Sequence, residues 1–277
     1  MLPFRKILFP VDYSAPCQAV LPYVQEMACR FSAELTACHA YAPVDAAADS
    51  ELLTAHPELR AKAEALEKDR LRQFVCQGLP GLEIEAMVEV GDPVSIIDRL
   101  AQQQQADLVM LATRGHGPVR RFLMGSMTAK VLHDVSAVVW TGVGAALADH
   151  PVRIPYRSIV CALDDSEEAE AVLRGAASLA SAYRAQLWIL NVLPAQPTQQ
   201  LREASQFRLR ELKAKAGVDA PHAVIDAQLA DGIQQEVVRR RADLLVTGRG
   251  HSTGTFGLMW SHLYSIIRDS PCPVLSI

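Results

Sequence analysis

The chain repeats itself in order. Arg5-Lys6-Ile7-Leu8-Phe9-Pro10-Val11-Asp12 returns as Arg157-Ser158-Ile159-Val160-Cys161-Ala162-Leu163-Asp164, and the apolar run Leu35 to Tyr41 returns as Leu187 to Val192. Ala106-Asp107-Leu108-Val109-Met110 returns as Ala242-Asp243-Leu244-Leu245-Val246, and the stretch Asp134 to Val139 as Asp269 to Leu275. A repeat that keeps its order over nearly the whole length restricts the chain to two copies of one module. Its 277 residues suit two domains of typical size. The boundaries expected are 1–142 for the first domain, 143–155 for a linker rich in Gly and Ala, and 156–277 for the second.

Within the first copy, strand patterns alternate with helical ones. Lys6 to Asp12 is a short apolar run ending in an acid, and Ser14 then caps a helix reaching Phe31. Leu35 to Tyr41 reads as a second strand, and Glu58 to Cys76 as a charged amphipathic helix. Leu82 to Val90 alternates as a third strand, and Gly91-Asp92-Pro93 opens a helix ending near Gln104. Leu108 to Leu111, a helix over 129–134 and a last strand over 137–141 complete the module. Strands alternating with helices predict a parallel sheet with right-handed crossovers, a doubly wound α/β domain with five strands in each copy. The last strands, 137–141 and 272–277, are short and apolar, so an uncovered edge requires a partner. They are expected to pair with each other or with another chain, giving an intramolecular pseudo-dimer and leaving room for a homodimer.

The stretch most suggestive of chemistry lies between the fourth strand and the helix that follows. It runs Ala112-Thr113-Arg114-Gly115-His116-Gly117 and closes on Gly125-Ser126-Met127-Thr128. Gly115, Gly117 and Gly125 permit positive φ and a close approach of bare backbone to a ligand. Ser126 and Thr128 add hydroxyls beside the free N–H groups of a helix's first turn, where the dipole favours an anion. A di- or triphosphate suits that combination. Glycine and a Ser cap also serve turn geometry alone. The stretch matches neither a Walker loop nor the dinucleotide GxGxxG fingerprint.

The spacing Gly-x2-Gly-x9-Gly-Ser between a strand and a helix resembles the nucleotide-binding signature of the universal stress protein family. Gly115, Gly125 and Ser126 match it, while Ala112 stands where the family has its first Gly. Pro10-Val11-Asp12 closing strand one and His39 near the end of strand two resemble the family as well, and the likeness covers essentially the whole chain. The resemblance implies a Rossmann-like sheet of the adenine nucleotide alpha hydrolase type, with nucleotide across the strand carboxyl ends. It implies Asp12 and the backbone around Ala40 at the adenine and ribose end, with Pro10 and Val11 as apolar wall. It further implies Ala112, Gly115, Gly117, Gly125, Ser126, Met127 and Thr128 around the phosphates, with Arg114 and His116 beside them. The cofactor implied is ATP, with magnesium as the nucleotide's companion, because no cluster of acids offers a protein-made cage. Asp12 has a plainer alternative role in capping the helix after Tyr13, and His39 reads as a packed, hydrogen-bonded core histidine.

The second copy departs from the first at this stretch. Thr247-Gly248-Arg249-Gly250-His251 leads to Met259-Trp260-Ser261-His262, and counting on from Gly250 places Trp260 where the first copy has Gly125. An indole cannot share space with a phosphate that needs bare backbone. Leu263 also replaces Thr128. The first domain is therefore expected to hold nucleotide and the second to be degenerate.

Composition narrows the classes of partner. A net charge of −4 and a pI near 6.1 argue against general nucleic-acid or membrane-surface binding. Half of the residues are hydrophobic, enough for a core in each copy, yet the longest uncharged apolar run, 135–148, is short of a membrane span. The first residues lack the apolar segment of a signal peptide, so a cytoplasmic location is expected. The six cysteines show no metal spacing and read as reduced, mostly buried thiols. Near the loop no general base, nucleophile pair or carboxylate dyad has usable spacing, so an enzyme is not expected. The leading expectation is an ATP-binding protein of the stress response, regulatory or sensory. A scaffold that binds no nucleotide and a slow ATPase are the alternatives.

Overall fold

The computed structural model describes residues 4–41, 57–113, 126–142, 154–249 and 256–277. The first copy contributes β1 (Lys6–Pro10), α1 (Ala15–Phe31), β2 (Glu34–Tyr41), α2 (Pro57–Gly78), β3 (Ile84–Val90), α3 (Pro93–Gln103), β4 (Leu108–Ala112), α4 (Ser126–Asp134) and β5 (Val138–Gly142). The second contributes β6 (Ser158–Ala162), α5 (Ala169–Tyr183), β7 (Gln186–Leu193), α6 (Gln199–Ala216), β8 (His222–Asp226), α7 (Leu229–Arg239), β9 (Leu244–Thr247), α8 (Phe256–Asp269) and β10 (Val274–Ser276).

The helix starts follow from local chemistry. Ser14 caps α1, its Oγ accepting from the Cys17 N–H at 3.2 Å. Asp92 caps α3, its Oδ2 accepting from the Ser95 N–H at 2.9 Å and from the Ser95 hydroxyl at 2.8 Å, with Pro93 in the first turn where its missing N–H costs nothing. Ser32 and Arg184 end α1 and α5 in left-handed conformations, their N–H groups returning to the last carbonyls of each helix.

The chain divides into two compact units. In one, parallel strands lie in the order β3-β2-β1-β4. Its helices pack as α1 with α2 and α3 with α4, as a sheet covered on both faces requires, and Leu108, Val109 and Met110 on β4 are fully buried. The other holds β8-β7-β6-β9-β10, all parallel, the same order by repeat. There β5 lies antiparallel along β10, with Trp140 opposite Leu275 and the Thr141 hydroxyl donating to the Val274 carbonyl at 3.3 Å. The two short apolar last strands thus pair with each other.

The repeated Ala-Asp acquires a role. The Asp107 Oδ2 accepts from the N–H groups of Arg5 (2.8 Å) and Lys6 (2.9 Å), clamping the start of β1 to the start of β4. Asp243 does the same for Arg157 (2.7 Å) and Ser158 (2.9 Å) at the start of β6. Asp243 is buried, whereas the Asp107 clamp opens partly to solvent. Unpaired donors cost more when water cannot reach them. We expect Asp243→Ala to destabilise the chain by about 2–3 kcal/mol and Asp107→Ala by about 1 kcal/mol in denaturant unfolding. Equal losses would contradict the difference in burial.

Candidate functional site

In a parallel sheet the crevice lies where strand order reverses, outside the carboxyl ends. In the first copy that point is between β1 and β4, and a cleft opens there, about 500 Å³ with its mouth included. Pro10, Val11 and Asp12 come from the end of β1, Cys38 and Ala40 from β2, Leu111 and Ala112 from β4, and Met127 from the first turn of α4. Six of the residues expected from the sequence (Pro10, Val11, Asp12, Ala40, Ala112 and Met127) meet in this one cleft. Three further wall residues come from helices: Cys17 on α1, and Pro93 and Ile97 on α3. The signal for Pro93 and Ile97 was present as one face of a strongly amphipathic helix starting at Asp92. No pattern in the sequence says that this face reaches the crevice.

The acid at the end of β1 is half engaged. Its Oδ1 accepts from the Ser14 N–H at 3.0 Å and the Ser14 hydroxyl at 2.6 Å, bracing a turn in which Tyr13 sits at φ 59°. The Cys17 thiol also meets the Asp12 carboxylate, and the carboxylate's remaining lone pairs can accept from a ligand hydroxyl. Beside it the Cys17 thiol is pushed up to about 12, chiefly by burial, and burial pushes the Cys38 thiol up to about 12. Both line the cleft as neutral groups. His39 is not among the lining residues; it is mostly buried, with its Nδ1 2.7 Å from the Val11 carbonyl oxygen.

At the other end, Thr128 is buried and its hydroxyl donates to the Ala112 carbonyl at 3.2 Å. That bond ties the first turn of α4 to the end of β4, and the backbone N–H groups of the same turn have no acceptor within the helix. Ser126 opens α4. Arg114, Gly115, His116, Gly117 and Gly125 lie outside the described residues, as does the side chain of Ser126.

The second copy keeps the frame and alters the lining. Asp164 Oδ1 braces Ser166 (3.1 Å to N, 2.5 Å to Oγ) as Asp12 braces Ser14, and the Leu163 N–H donates to the Leu190 carbonyl as Val11 does to Cys38. By the same register Leu190 stands for Cys38, Val192 for Ala40 and Leu229 for Pro93, each a bulkier side chain. Arg249, next to Gly248, is buried with Nη2 3.5 Å from the Ser276 carbonyl oxygen. Burial lowers its guanidinium to about 10, with Glu168 opposing. The side chain of Trp260 lies outside the described residues.

The model of the universal stress protein family matches residues 3–141 and again 155–277. The chain belongs to the universal stress protein family. A universal stress protein of Thermus aquaticus is 28% identical over 136 residues, covering 49% of this chain and 96% of the relative. Universal stress protein Sll1654 of Synechocystis is 31% identical over 140 residues, covering 45% of this chain and 87% of the relative. A universal stress protein from Archaeoglobus fulgidus superposes over 98% of this chain and 95% of its own length at a TM-score of 0.68 and 19% identity, a likeness of fold. The tandem, Rossmann-like arrangement is thus that of universal stress proteins on both halves. No described helix is long and apolar enough to cross a membrane.

The thiols offer a direct check on the cleft. Cys29 and Cys76 are exposed, and the other four cysteines are buried. A thiol at about 12 is ionised in on the order of one molecule in 10⁴ at pH 8. Iodoacetamide at that pH should label Cys29 and Cys76 of the native chain and leave Cys17 and Cys38 unmodified in peptide mass spectra. Rapid labelling of Cys38 would contradict the described wall.

Proposed function

We propose that this universal stress protein binds an adenine nucleotide, ATP accompanied by magnesium, in its first domain only, and acts as a regulatory or sensor protein of the cytoplasmic stress response. The domains in this reading are 1–142 and 156–277, joined by 143–155. The observation that carries it is the cleft at the switch point of the first copy, with the small Ala40 where the second copy has Val192. Pro10, Val11, Pro93, Ile97 and Leu111 give a planar base apolar walls, and the remaining lone pairs of the Asp12 carboxylate suit a ribose hydroxyl. The first turn of α4, next to Ala112, suits a phosphate. Arg114, Gly115, His116, Gly117, Gly125 and the Ser126 hydroxyl are assigned to the phosphates on the family resemblance.

A binding role fits better than an enzymatic one. The titratable groups among the described lining residues are Asp12, braced against Ser14, and two thiols held neutral by burial. None is poised as a general base. The antiparallel pairing of β5 with β10 supports an intramolecular pseudo-dimer of the two copies, and a homodimer of chains belongs to the same proposal.

The test is to purify the chain without added nucleotide, denature it and identify what is released by mass spectrometry. About one adenine nucleotide per chain is expected. Ala40→Val, which brings in the second copy's residue, and Gly125→Trp should each lower ATP affinity at least about tenfold by overfilling the site. Two nucleotides per chain would refute the single-site reading. No released nucleotide, together with no calorimetric heat on adding ATP and magnesium, would refute binding altogether.

A further inference from the structure

The two copies tie the end of their second strand to the neighbouring helix in chemically different ways. In the second copy the tie is neutral: the Asn191 Nδ2 donates to the Leu163 carbonyl at 2.9 Å, and the Ser205 hydroxyl of α6 donates to the Asn191 Oδ1 at 2.8 Å. Asn191 and Ser205 are both buried. In the first copy the same positions carry His39 and Glu67. His39 follows Cys38, which accepts from the Val11 N–H, as Asn191 follows Leu190, which accepts from the Leu163 N–H. His39 Nδ1 lies 2.7 Å from the Val11 carbonyl oxygen, and Nε2 lies 3.9 Å from the Glu67 Oε2 on α2.

A carbonyl only accepts, so Nδ1 carries the proton of the neutral ring. Nε2 then turns a lone pair toward a carboxylate oxygen. That oxygen is buried and has no hydrogen bond among the described residues. A second proton on Nε2 converts two facing acceptors into a donor and an acceptor, and it makes the Nδ1–H bond to Val11 charge-assisted. The other groups around the ring are fixed in charge. Tyr13, with its ring centroid 4.6 Å away, stays neutral because burial and then Glu67 push its hydroxyl up to about 12. Tyr41 stacks at 6.3 Å, and the Cys17 thiol near Tyr13 is neutral. Val88 lies beside His39 on β3. Arg70 on α2 lies 3.6 Å from the same Glu67 oxygen and 4.2 Å above the Tyr13 ring, and its charge opposes the second proton.

We propose that His39 is a positioning residue for the cleft, and that its protonation against Glu67 tightens its hold on the Val11 carbonyl and raises nucleotide affinity in the first copy. The inference rests on the nucleotide reading above. Val11 and Asp12 form the cleft wall, so fixing the Val11 carbonyl fixes the base and ribose end before a ligand arrives. The added positive charge also favours a polyanionic ligand. The second copy, with Asn and Ser, holds its frame with no response to pH. By linkage, a nucleotide that binds the protonated form better must raise the proton affinity of His39.

The experiment measures ATP–magnesium affinity of the full chain at pH 6 and pH 8, for wild type, His39→Asn and Glu67→Gln, together with the NMR titration of the His39 ring with and without the ligand. His39→Asn keeps an N–H donor to the Val11 carbonyl, as Asn191 donates to Leu163, and the ligand's own ionisation is common to all three proteins. Wild type should gain about fivefold in affinity at pH 6 relative to His39→Asn, and Glu67→Gln should lose most of that gain. The His39 midpoint should move to higher pH when ATP is bound. An unmoved midpoint, or a wild-type pH profile parallel to that of His39→Asn, overturns the role of His39 while the nucleotide site stands. Absence of ATP binding at either pH overturns the nucleotide reading and this inference with it.

Discussion

One carboxylate in each copy holds the geometry from which the rest follows. Asp107 and Asp243 sit just before β4 and β9 and accept from two successive N–H groups at the start of β1 and β6. Strand order reverses between β1 and β4, and between β6 and β9, so each clamp fixes the register at its switch point from the amino-terminal side. At the carboxyl ends of these strands, α1 packs with α2 and α4 packs with α3. The cleft lies at these strand ends, lined from β1, β2, β4 and the neighbouring helices.

What fills the space differs between the copies, and the difference is one of side-chain volume on a shared frame. Cys38, Ala40 and Pro93 leave room in the first, while Leu190, Val192 and Leu229 stand at the matching places in the second. Val192 packs toward Gly232 on α7, where a Cβ would lie 3.2 Å from its Cγ1. The larger side chain is thus accommodated by a glycine in the facing helix. Buried Arg249 adds a cation at the end of β9, close to Glu168. The second domain keeps the fold and the pairing of its last strand with β5.

Much of this was legible in the residues because it depends on local chemistry. Ser14 and Asp92-Pro93 announce helix starts, and the apolar runs announce buried strands, each within two residues of the structure. Pro10, Val11, Asp12, Ala40, Ala112 and Met127 lie near element ends, and the strand order alone brings them together. What was not legible depends on which face meets which. Cys17, Pro93 and Ile97 enter the cleft because α1 and α3 lean over it, a tertiary fact. The bracing of Ser14 by Asp12 and the donation of the Thr128 hydroxyl to Ala112 are side-chain choices among several acceptors. The antiparallel sense of the β5–β10 pair was not legible, because short apolar strands carry no mark of direction. The difference between a His–Glu and an Asn–Ser tie was written in the sequence, but it had no meaning until both helices were in place.

Hydrogen–deuterium exchange of the full chain with and without ATP and magnesium tests the central claim most directly, because it reads both copies in one sample. Binding in the first copy alone predicts added protection over residues 10–12, 38–41 and 111–113 and at the start of α4, with residues 162–164, 190–193 and 247–249 unchanged. Equal protection of the two sets, or protection confined to the second, would contradict it.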